Sequence, residues 1–441
     1  IVSRDWSSDV CSSDLKRSLM VSEVNKPNWI LGSSTFSFTV CFMVWMIFAV
    51  IGIPIKDELG LNETQFGLLV AMPILTGSLF RFPIGILTDY YGGRKVFFFL
   101  MLSTIMPIWF ISYATTYWQY LAIGLFVGLT GASFTVGIAY CAKWFPRHRQ
   151  GTAMGIFGAG NVGAALTKLI APSILVAYGW AMVPKVYAVI MTFTVIIFWF
   201  YTWDKDEHRA RKKFNFKQEM LILKDPNIWK LCQFYSIVFG GYVALASWMT
   251  KYYITEYSFD ITTAALLAAC FSLPGGLLRA LGGYFSDKFG AHIVTWWVLW
   301  VSMICFFIMS YPHTELTIFG IDGPITFKIN LNATFFTILI FIVGVAFAIG
   351  KASVFKYISD DYSQNIGAVS GIVGLMGGMG GFLLPIMFGI LIDLTGIRSS
   401  IFILLCGITW VSLIWMYWSE IRPLKIAHHN LYKQKKHTVN T

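Results

Sequence analysis

The sequence predicts an all-α membrane protein of twelve transmembrane helices, arranged as two pseudo-symmetric six-helix halves. Three observations predict it. The 441-residue chain is 56% apolar and only 12% charged, too little polar surface for a soluble protein of this length. Its apolar residues fall into twelve long runs, six on each side of one polar stretch. An arginine stands inside a run at the same relative place in each half: Arg81 in LVAMPILTGSLFRFPIGILTD and Arg279 in ALLAACFSLPGGLLRALGGYFSD.

The runs of the first half lie at about 30–55, 65–88, 95–115, 118–142, 152–177 and 182–203. Those of the second lie at about 231–252, 262–286, 292–311, 334–357, 368–391 and 399–418. Each is near the roughly 20 residues that a helix needs to cross the hydrocarbon core. The runs are continuous, not alternating, which excludes a β-barrel. The expected organisation is a leader over 1–19, a six-helix half over 20–203, a linker over 204–230, a second half over 231–420 and a basic tail over 421–441. The first residues, IVSRDWSSDVCSSDL, lack the cationic start and apolar core of a targeting peptide and read as a foreign, disordered leader, with Met20 as the start.

The formal net charge of +11 does not point to nucleic acid. Cations concentrate in alternate loops: Arg94 and Lys95, Arg147 and Arg149, the stretch from Lys205 to Lys230, Lys288, and the tail from Arg422 to Lys436. The positive-inside rule then places both termini and the linker in the cytoplasm of a cell whose inner membrane holds the protein. The seven cysteines show no CxxC spacing and read as small packing residues. The histidines have no metal-ligand spacing. No metal, cofactor, phosphate loop or catalytic triad is expected, and the chain does not read as an enzyme.

The two halves repeat each other weakly. GSLFRFPIGILTDYYG at 77–92 aligns with GGLLRALGGYFSDKFG at 275–290, matching Arg81 with Arg279, Gly85 with Gly283, Asp89 with Asp287 and Gly92 with Gly290. Phe134, Gly137 and Lys143 likewise match Phe347, Gly350 and Lys356. Repeated halves with a site at their interface are a common plan of secondary transporters. A guanidinium in mid-bilayer is costly and faces a cavity or a partner. No Asp or Glu lies in the interior of any run, so the two arginines imply a site for an anion that arrives from outside.

Two helices are dense in glycine. The fifth run carries Gly155, Gly158, Gly160 and Gly163; the eleventh carries Gly371, Gly374, Gly377, Gly378, Gly380 and Gly381. Each costs a helix roughly 1 kcal/mol. Small residues let backbones approach closely in lipid, and the expected role is a sliding contact between moving bundles.

The segment Gly85, Asp89, Gly92, Arg94, with its partial second copy at Asp287, resembles the cytoplasmic loop motif of the major facilitator superfamily. GIFGAGNVGAA and GIVGLMGGMGGFLLP resemble the paired signatures of its nitrate/nitrite porter family, and the similarity runs from about residue 25 to 420. The resemblance implies the major facilitator fold and transport of nitrate and/or nitrite by alternating access, most simply as exchange, by a monomer in a lipid bilayer. It implies substrate binding by Arg81, Arg279, Asn161 and Tyr235, with Phe134, Phe239 and Phe347 around the ion. Proton-coupled uptake, or carriage of an organophosphate or small carboxylate, is the alternative. A sensor would need a signalling domain for which the tails and linker are too short. Lys351, one helical turn beyond Phe347, is expected either to add charge to the pathway or to reach an interface. Lys168 is expected to reach an interface.

Overall fold

The computed structural model describes residues 6–204, 224–321, 323–362 and 366–422, with side chains from residue 26 onward. Most of the linker and of the basic tail therefore lies outside the described residues. Ten described helices are long and apolar enough to cross a membrane, and two bent pairs complete the twelve. They are span one (Lys26–Leu59), span two (Glu63–Leu79 with Arg81–Tyr91), span three (Gly93–Tyr113), span four (Tyr117–Ala142), span five (Thr152–Tyr178) and span six (Met182–Phe200). The second half follows with span seven (Pro226–Tyr257), span eight (Ile261–Leu277 with Arg279–Phe289), span nine (Ala291–Met309), span ten (Ala333–Asp361), span eleven (Val369–Thr395) and span twelve (Ser400–Ile421). Residues 6–19, expected as a disordered leader, instead continue span one as helix; propagation adds one hydrogen bond per residue once a helix exists.

Because the spans alternate in direction, one face of the bundle carries the linker and the other carries the connections near residues 60, 115, 180, 259 and 397. The second is called the far face below. The connection between spans nine and ten holds an element the hydropathy pattern did not foretell. Strands β1 (Thr314–Gly320) and β2 (Gly323–Ile329) pair antiparallel as a hairpin on the far face.

Spans two and eight bend at equivalent places, by 40° between Leu79 and Arg81 and by 48° between Leu277 and Arg279. Each bend follows a small-residue pair, Gly77–Ser78 or Gly275–Gly276, and a proline, Pro73 or Pro274. These are the residue types that kink helices. Each arginine is the first residue after its bend.

The loop motif closes similarly in both halves. Gly92 and Gly290 adopt positive φ angles of 89° and 86°, open to glycine at little cost. Asp89 reaches Lys143 at 4.0 Å and Asp287 reaches Lys356 at 3.5 Å, so the aspartates pair with bases rather than cap helices. Arg94 donates to the Trp199 carbonyl at 2.7 Å and lies over its ring. The second copy has His292 where the first has Arg94. His292 Nδ1 lies 2.6 Å from Glu420, whose carboxylate also meets Lys230 Nζ at 2.5 Å and accepts from the Tyr357 hydroxyl at 2.6 Å. Glu420 is buried at the linker-face end of span twelve, fully partnered inside the second half.

On the far face the halves are sealed to each other. The Asp393 carboxylate on span eleven accepts from the backbone N–H groups of Glu63 (3.1 Å) and Thr64 (2.8 Å), the exposed amides that open span two. Glu63 pairs with Lys251 of span seven and, at 3.4 Å, with Lys56. Beneath them Phe66 of span two meets Trp248 of span seven edge-on at 5.1 Å, and Trp248 meets Phe388 of span eleven.

The glycine helices record how contact changes across the membrane. Toward the far face their Cα atoms press on neighbours: Gly163 on the backbone of Thr39, Gly160 on Phe38, Gly377 on Tyr235, Gly378 on Ser78 and Gly380 on Ser236. Gly381 lies in ordinary contact with Ile74 and Val243. Toward the linker face the space opens. A Cβ on Gly155 would meet only Ala280 at 4.0 Å, and one on Gly371 would meet nothing within that distance. Of these contacts, Gly378 on Ser78 and Gly381 on Ile74 cross between the halves, and nearer the far face Gly67 meets the backbone of Pro385 and Gly389 that of Glu63, so the halves converge on the far side and part toward the linker side.

This gradient separates two substitutions of the same chemistry. Gly378→Ala forces a methyl into Ser78 and is expected to destabilise the folded protein by about 1–3 kcal/mol. Gly371→Ala is expected to be neutral or stabilising by up to roughly 1 kcal/mol, since alanine is the better helix former. Thermal unfolding of the two purified variants in detergent checks the order; equal midpoints would contradict the packing described.

Candidate anion-binding site

The bends carry Arg81 and Arg279 into the interface between the halves, where the cleft from the linker face ends. They are 5% and 9% exposed. Neither forms an ion pair among the described residues. Arg81 donates one bond, to the Gly374 carbonyl of span eleven at 3.0 Å, and its Nε is left without a partner. Arg279 packs its aliphatic stem against Gly158 of span five, and one of its terminal nitrogens is unpartnered. Each arginine thus crosses to a glycine helix of the opposite half. A Cβ at Gly158 would lie 3.3 Å from the Arg279 stem, and one at Gly374 would lie 3.9 Å from Arg81 Nη1.

Aromatic rings wall the pair. The Arg81 guanidinium carbon lies 5.1 Å from the centre of the Phe239 ring, 5.7 Å from Phe134 and 6.0 Å from Trp45. That of Arg279 lies 5.4 Å from Phe134 and 5.3 Å from Phe355. Phe134 borders both charges, whose guanidinium carbons lie no farther apart than its two distances combined. The Tyr235 ring stacks on Phe239 with centroids 5.2 Å apart and planes 4° from parallel. A widened, π-type turn over Ser236–Gly241 begins just after Tyr235 and carries Phe239. Such bulges recur at functional sites because they re-aim side chains.

Two more polar groups complete the set. The Asn161 amide is buried on a 3-10 turn, Ala159–Val162, with neither side-chain atom hydrogen-bonded. It lies one turn beyond Gly158. The Tyr235 hydroxyl is also buried, beside Arg279 but without a hydrogen bond of good geometry. Leaving a buried polar group unpaired costs about 1–3 kcal/mol, and more for a charge. Arg81, Arg279 and Tyr235 converge where no carboxylate stands among the described residues, and the Asn161 amide follows Gly158 by one turn.

The structure brings together Arg81, Arg279, Phe134, Tyr235 and Phe239, with Asn161 beside Gly158. It does not bring Phe347 to either guanidinium. That ring packs against Gly241 and meets Phe306 edge-on at 5.9 Å. Its place over Arg279 is taken by Phe355, two turns farther along span ten. The 3.6-residue stripe Phe347, Lys351, Phe355 was readable in the sequence, but the repeat alignment pointed to its wrong end. Trp45 carried no sequence signal.

Lys351 is fully buried and donates to the Gly275 carbonyl at 2.6 Å, with its ammonium 3.5 Å from the centre of the Tyr242 ring. Lys168, expected at an interface, does not reach lipid or water. It is 1% exposed and bonded to the Ser272 hydroxyl of span eight, across the halves. Tyr242 donates to the Ser272 carbonyl at 2.9 Å, so both lysines grip the segment of span eight just before its bend.

A fork of coplanar donors holds two oxygens at once, and lysine offers a single point charge. Arg81→Lys and Arg279→Lys are each expected to weaken nitrate binding by about ten- to a hundredfold, from loss of roughly 1.5–3 kcal/mol of charged hydrogen bonding. Calorimetric titration of the purified variants with nitrate checks this, and unchanged affinity in either would remove the arginines from the site.

Comparison with known proteins agrees with this architecture. The chain matches the profile of the Major Facilitator Superfamily over residues 34–333 and 255–438. It is 37% identical to a probable nitrate/nitrite antiporter, NarK1, of Thermus thermophilus, over 90% of this chain and 92% of that one. It is 29% identical to the nitrite extrusion protein of Bacillus subtilis, over 90% and 96% of the two chains. It is 31% identical to a probable nitrate transporter, NarT, of Staphylococcus aureus, over 91% and 98%. In fold it is similar to the nucleoside transporter NupG, with a TM-score of 0.69 at 11% identity over 88% of this chain and 98% of that one. It is likewise similar to an inward-facing, unoccupied bacterial homologue of the lysosomal transporter Spinster, with a TM-score of 0.63 at 16% identity over 89% and 93%. With twelve spans in two repeated halves, and these relatives along nearly its whole length, the chain belongs to the nitrate/nitrite porters of the major facilitator superfamily.

Proposed function

We propose that this protein moves nitrate and nitrite across the cytoplasmic membrane by alternating access, as an exchanger, with its linker face in the cytoplasm. The observation that carries the reading is the pair of buried guanidiniums with unpaired donors and no carboxylate, set among aromatic rings. Nitrate is planar, monovalent and weakly hydrated. Its oxygens suit two donor forks, and its flat faces suit the rings of Phe134, Phe239 and Phe355. Tetrahedral, strongly hydrated phosphate or sulfate suits such a slot poorly, and the phosphate-ester alternative has nothing here to favour it.

The same charges account for exchange. With both guanidinium carbons within 5.7 Å of one ring centre, the charges lie at most about 11 Å apart and, at an effective dielectric of about 20, repel by at least roughly 1.5 kcal/mol. A monovalent anion midway between them attracts each by roughly 3 kcal/mol on the same scale. An occupied site draws the halves together and an empty one holds them apart, so the loaded carrier crosses between its two openings faster than the empty one. In the present conformation the anion enters from the linker side, while Asp393, Lys251 and the Phe66–Trp248 contact close the far side. The site lies within one chain, which supports a functional monomer.

One observation favours proton-coupled uptake as the second reading. Lys351 is a buried amine near Arg279 with no carboxylate partner among the described residues. In proteoliposomes at clamped voltage, nitrite loaded inside is expected to accelerate nitrate entry strongly, and a pH gradient across otherwise empty vesicles is expected to drive little accumulation. Robust gradient-driven accumulation would replace exchange with symport, and its loss in Lys351→Met would then assign the proton to that lysine.

A further inference from the structure

The β1–β2 hairpin is amphipathic. In an antiparallel pair, residues directly opposite each other point to the same side. Leu316 faces Phe327 and Ile318 faces Ile325, which makes one side of the hairpin apolar. Glu315 faces Lys328, with the ion pair at 2.9 Å, and Thr317 faces Thr326, so the other side is polar and electrically neutral up to its tip, where Phe319, 85% exposed, faces Pro324. The four apolar side chains are each between 48% and 53% exposed. A two-stranded hairpin is marginally stable in water by itself. Four aligned apolar side chains on such a hairpin call for a covering surface.

The tethers say which surface is in reach. Ser310–His313 join the hairpin to span nine, and Asn330–Asn332 join it to span ten. Three extended residues reach about 10 Å, comparable with the headgroup layer beyond the hydrocarbon core, roughly 5–7 Å on each side. The return tether is itself pinned, since the Tyr257 hydroxyl of span seven donates to the Leu331 carbonyl at 3.0 Å. The base of the hairpin is thus held at the level of the span ends. There the exposed aromatic side chains of Phe307, Tyr311 and Phe335 form a lipid-level belt on spans nine and ten.

We propose that the hairpin lies on the far-face leaflet of the bilayer, with Leu316, Ile318, Ile325 and Phe327 turned into the boundary between headgroups and acyl chains. The Glu315–Lys328 side faces water. The open strand edges require this depth and no deeper. Their outer N–H and C=O groups find water among the headgroups and would find none in the hydrocarbon. The apolar side is then continuous with the lipid-facing surface of spans nine and ten, and it braces the only strand-containing connection among the described residues against the membrane while the halves rock.

The test uses the full chain with its seven native cysteines replaced, bearing one new cysteine at Ile318→Cys or Thr317→Cys. Both sites are exposed and their side chains belong to no core. Each is labelled with an environment-sensitive nitrobenzoxadiazole probe and reconstituted in phosphatidylethanolamine–phosphatidylglycerol vesicles. The probe at 318 is expected to be blue-shifted and quenched severalfold more by lipid brominated high on its acyl chains than the probe at 317. The probe at 317 is expected to be quenched by aqueous iodide. Equal iodide quenching at both positions, without quenching by brominated lipid, would overturn the proposal. So would protection of position 318 that is insensitive to brominated lipid but accompanied by energy transfer between labelled copies, which assigns the face to a second copy of the chain. Neither readout depends on what the protein transports.

Discussion

Two guanidiniums in a low-dielectric space with no carboxylate to offset them are the constraint from which the rest of this structure follows. They cannot lie against lipid, so the helices that carry them bend and turn them into the interface. They cannot be left to one half, so each reaches a glycine of the other: Arg81 the carbonyl of Gly374, and Arg279 the surface of Gly158. Aromatic rings supply the walls because their faces tolerate a cation and exclude water. In the function proposed, an anion completes the site.

The surrounding architecture makes that completion usable. Contact between the halves is dense where the far-face seal lies and sparse on the linker side, and the glycines of spans five and eleven straddle the change. On the dense side they allow backbones to touch. On the sparse side they keep the cleft smooth. The seal combines different parts: the Glu63–Lys251 ion pair joins spans two and seven, while Asp393 satisfies backbone amides that would otherwise open span two unpaired. A gate that must open and reclose is well served by a few reversible polar contacts over a small aromatic plug.

The pseudo-symmetry is close in the frame and loose in the details. Bends, arginines, positive-φ glycines and aspartate–lysine pairs repeat. Around them each half has gone its own way. The first copy of the loop motif ties down through Arg94 and Trp199; the second works through His292 on a buried Glu420 that also holds Lys230 and Tyr357. Phe134 serves both arginines, while its counterpart in the repeat, Phe347, serves packing. Lys168 and Lys351 have no match in the other half, and both hold the segment of span eight before its bend.

The sequence by itself determined the class, the number of spans, the six-plus-six division, the pair of arginines and the glycine helices. Each is written in composition, run length or a register that translation along the chain preserves, and the bilayer enforces such patterns because it leaves the backbone few alternatives. Tertiary structure decided what depends on rotation and depth. Phe355 rather than Phe347 covers Arg279, because two turns along one stripe change depth and not face. Lys168 is interior rather than snorkelling, because Ser272 of the opposite half offers it a partner. Trp45 joins the site, and Asp393 closes the far face, through contacts between segments remote in sequence. The hairpin after span nine escaped notice because its alternation spans only seven residues per strand, too short to stand out beside runs of twenty apolar residues. Which side of the bundle is shut is likewise a property of packing: the same chain must be able to close either end, so no local pattern can specify one.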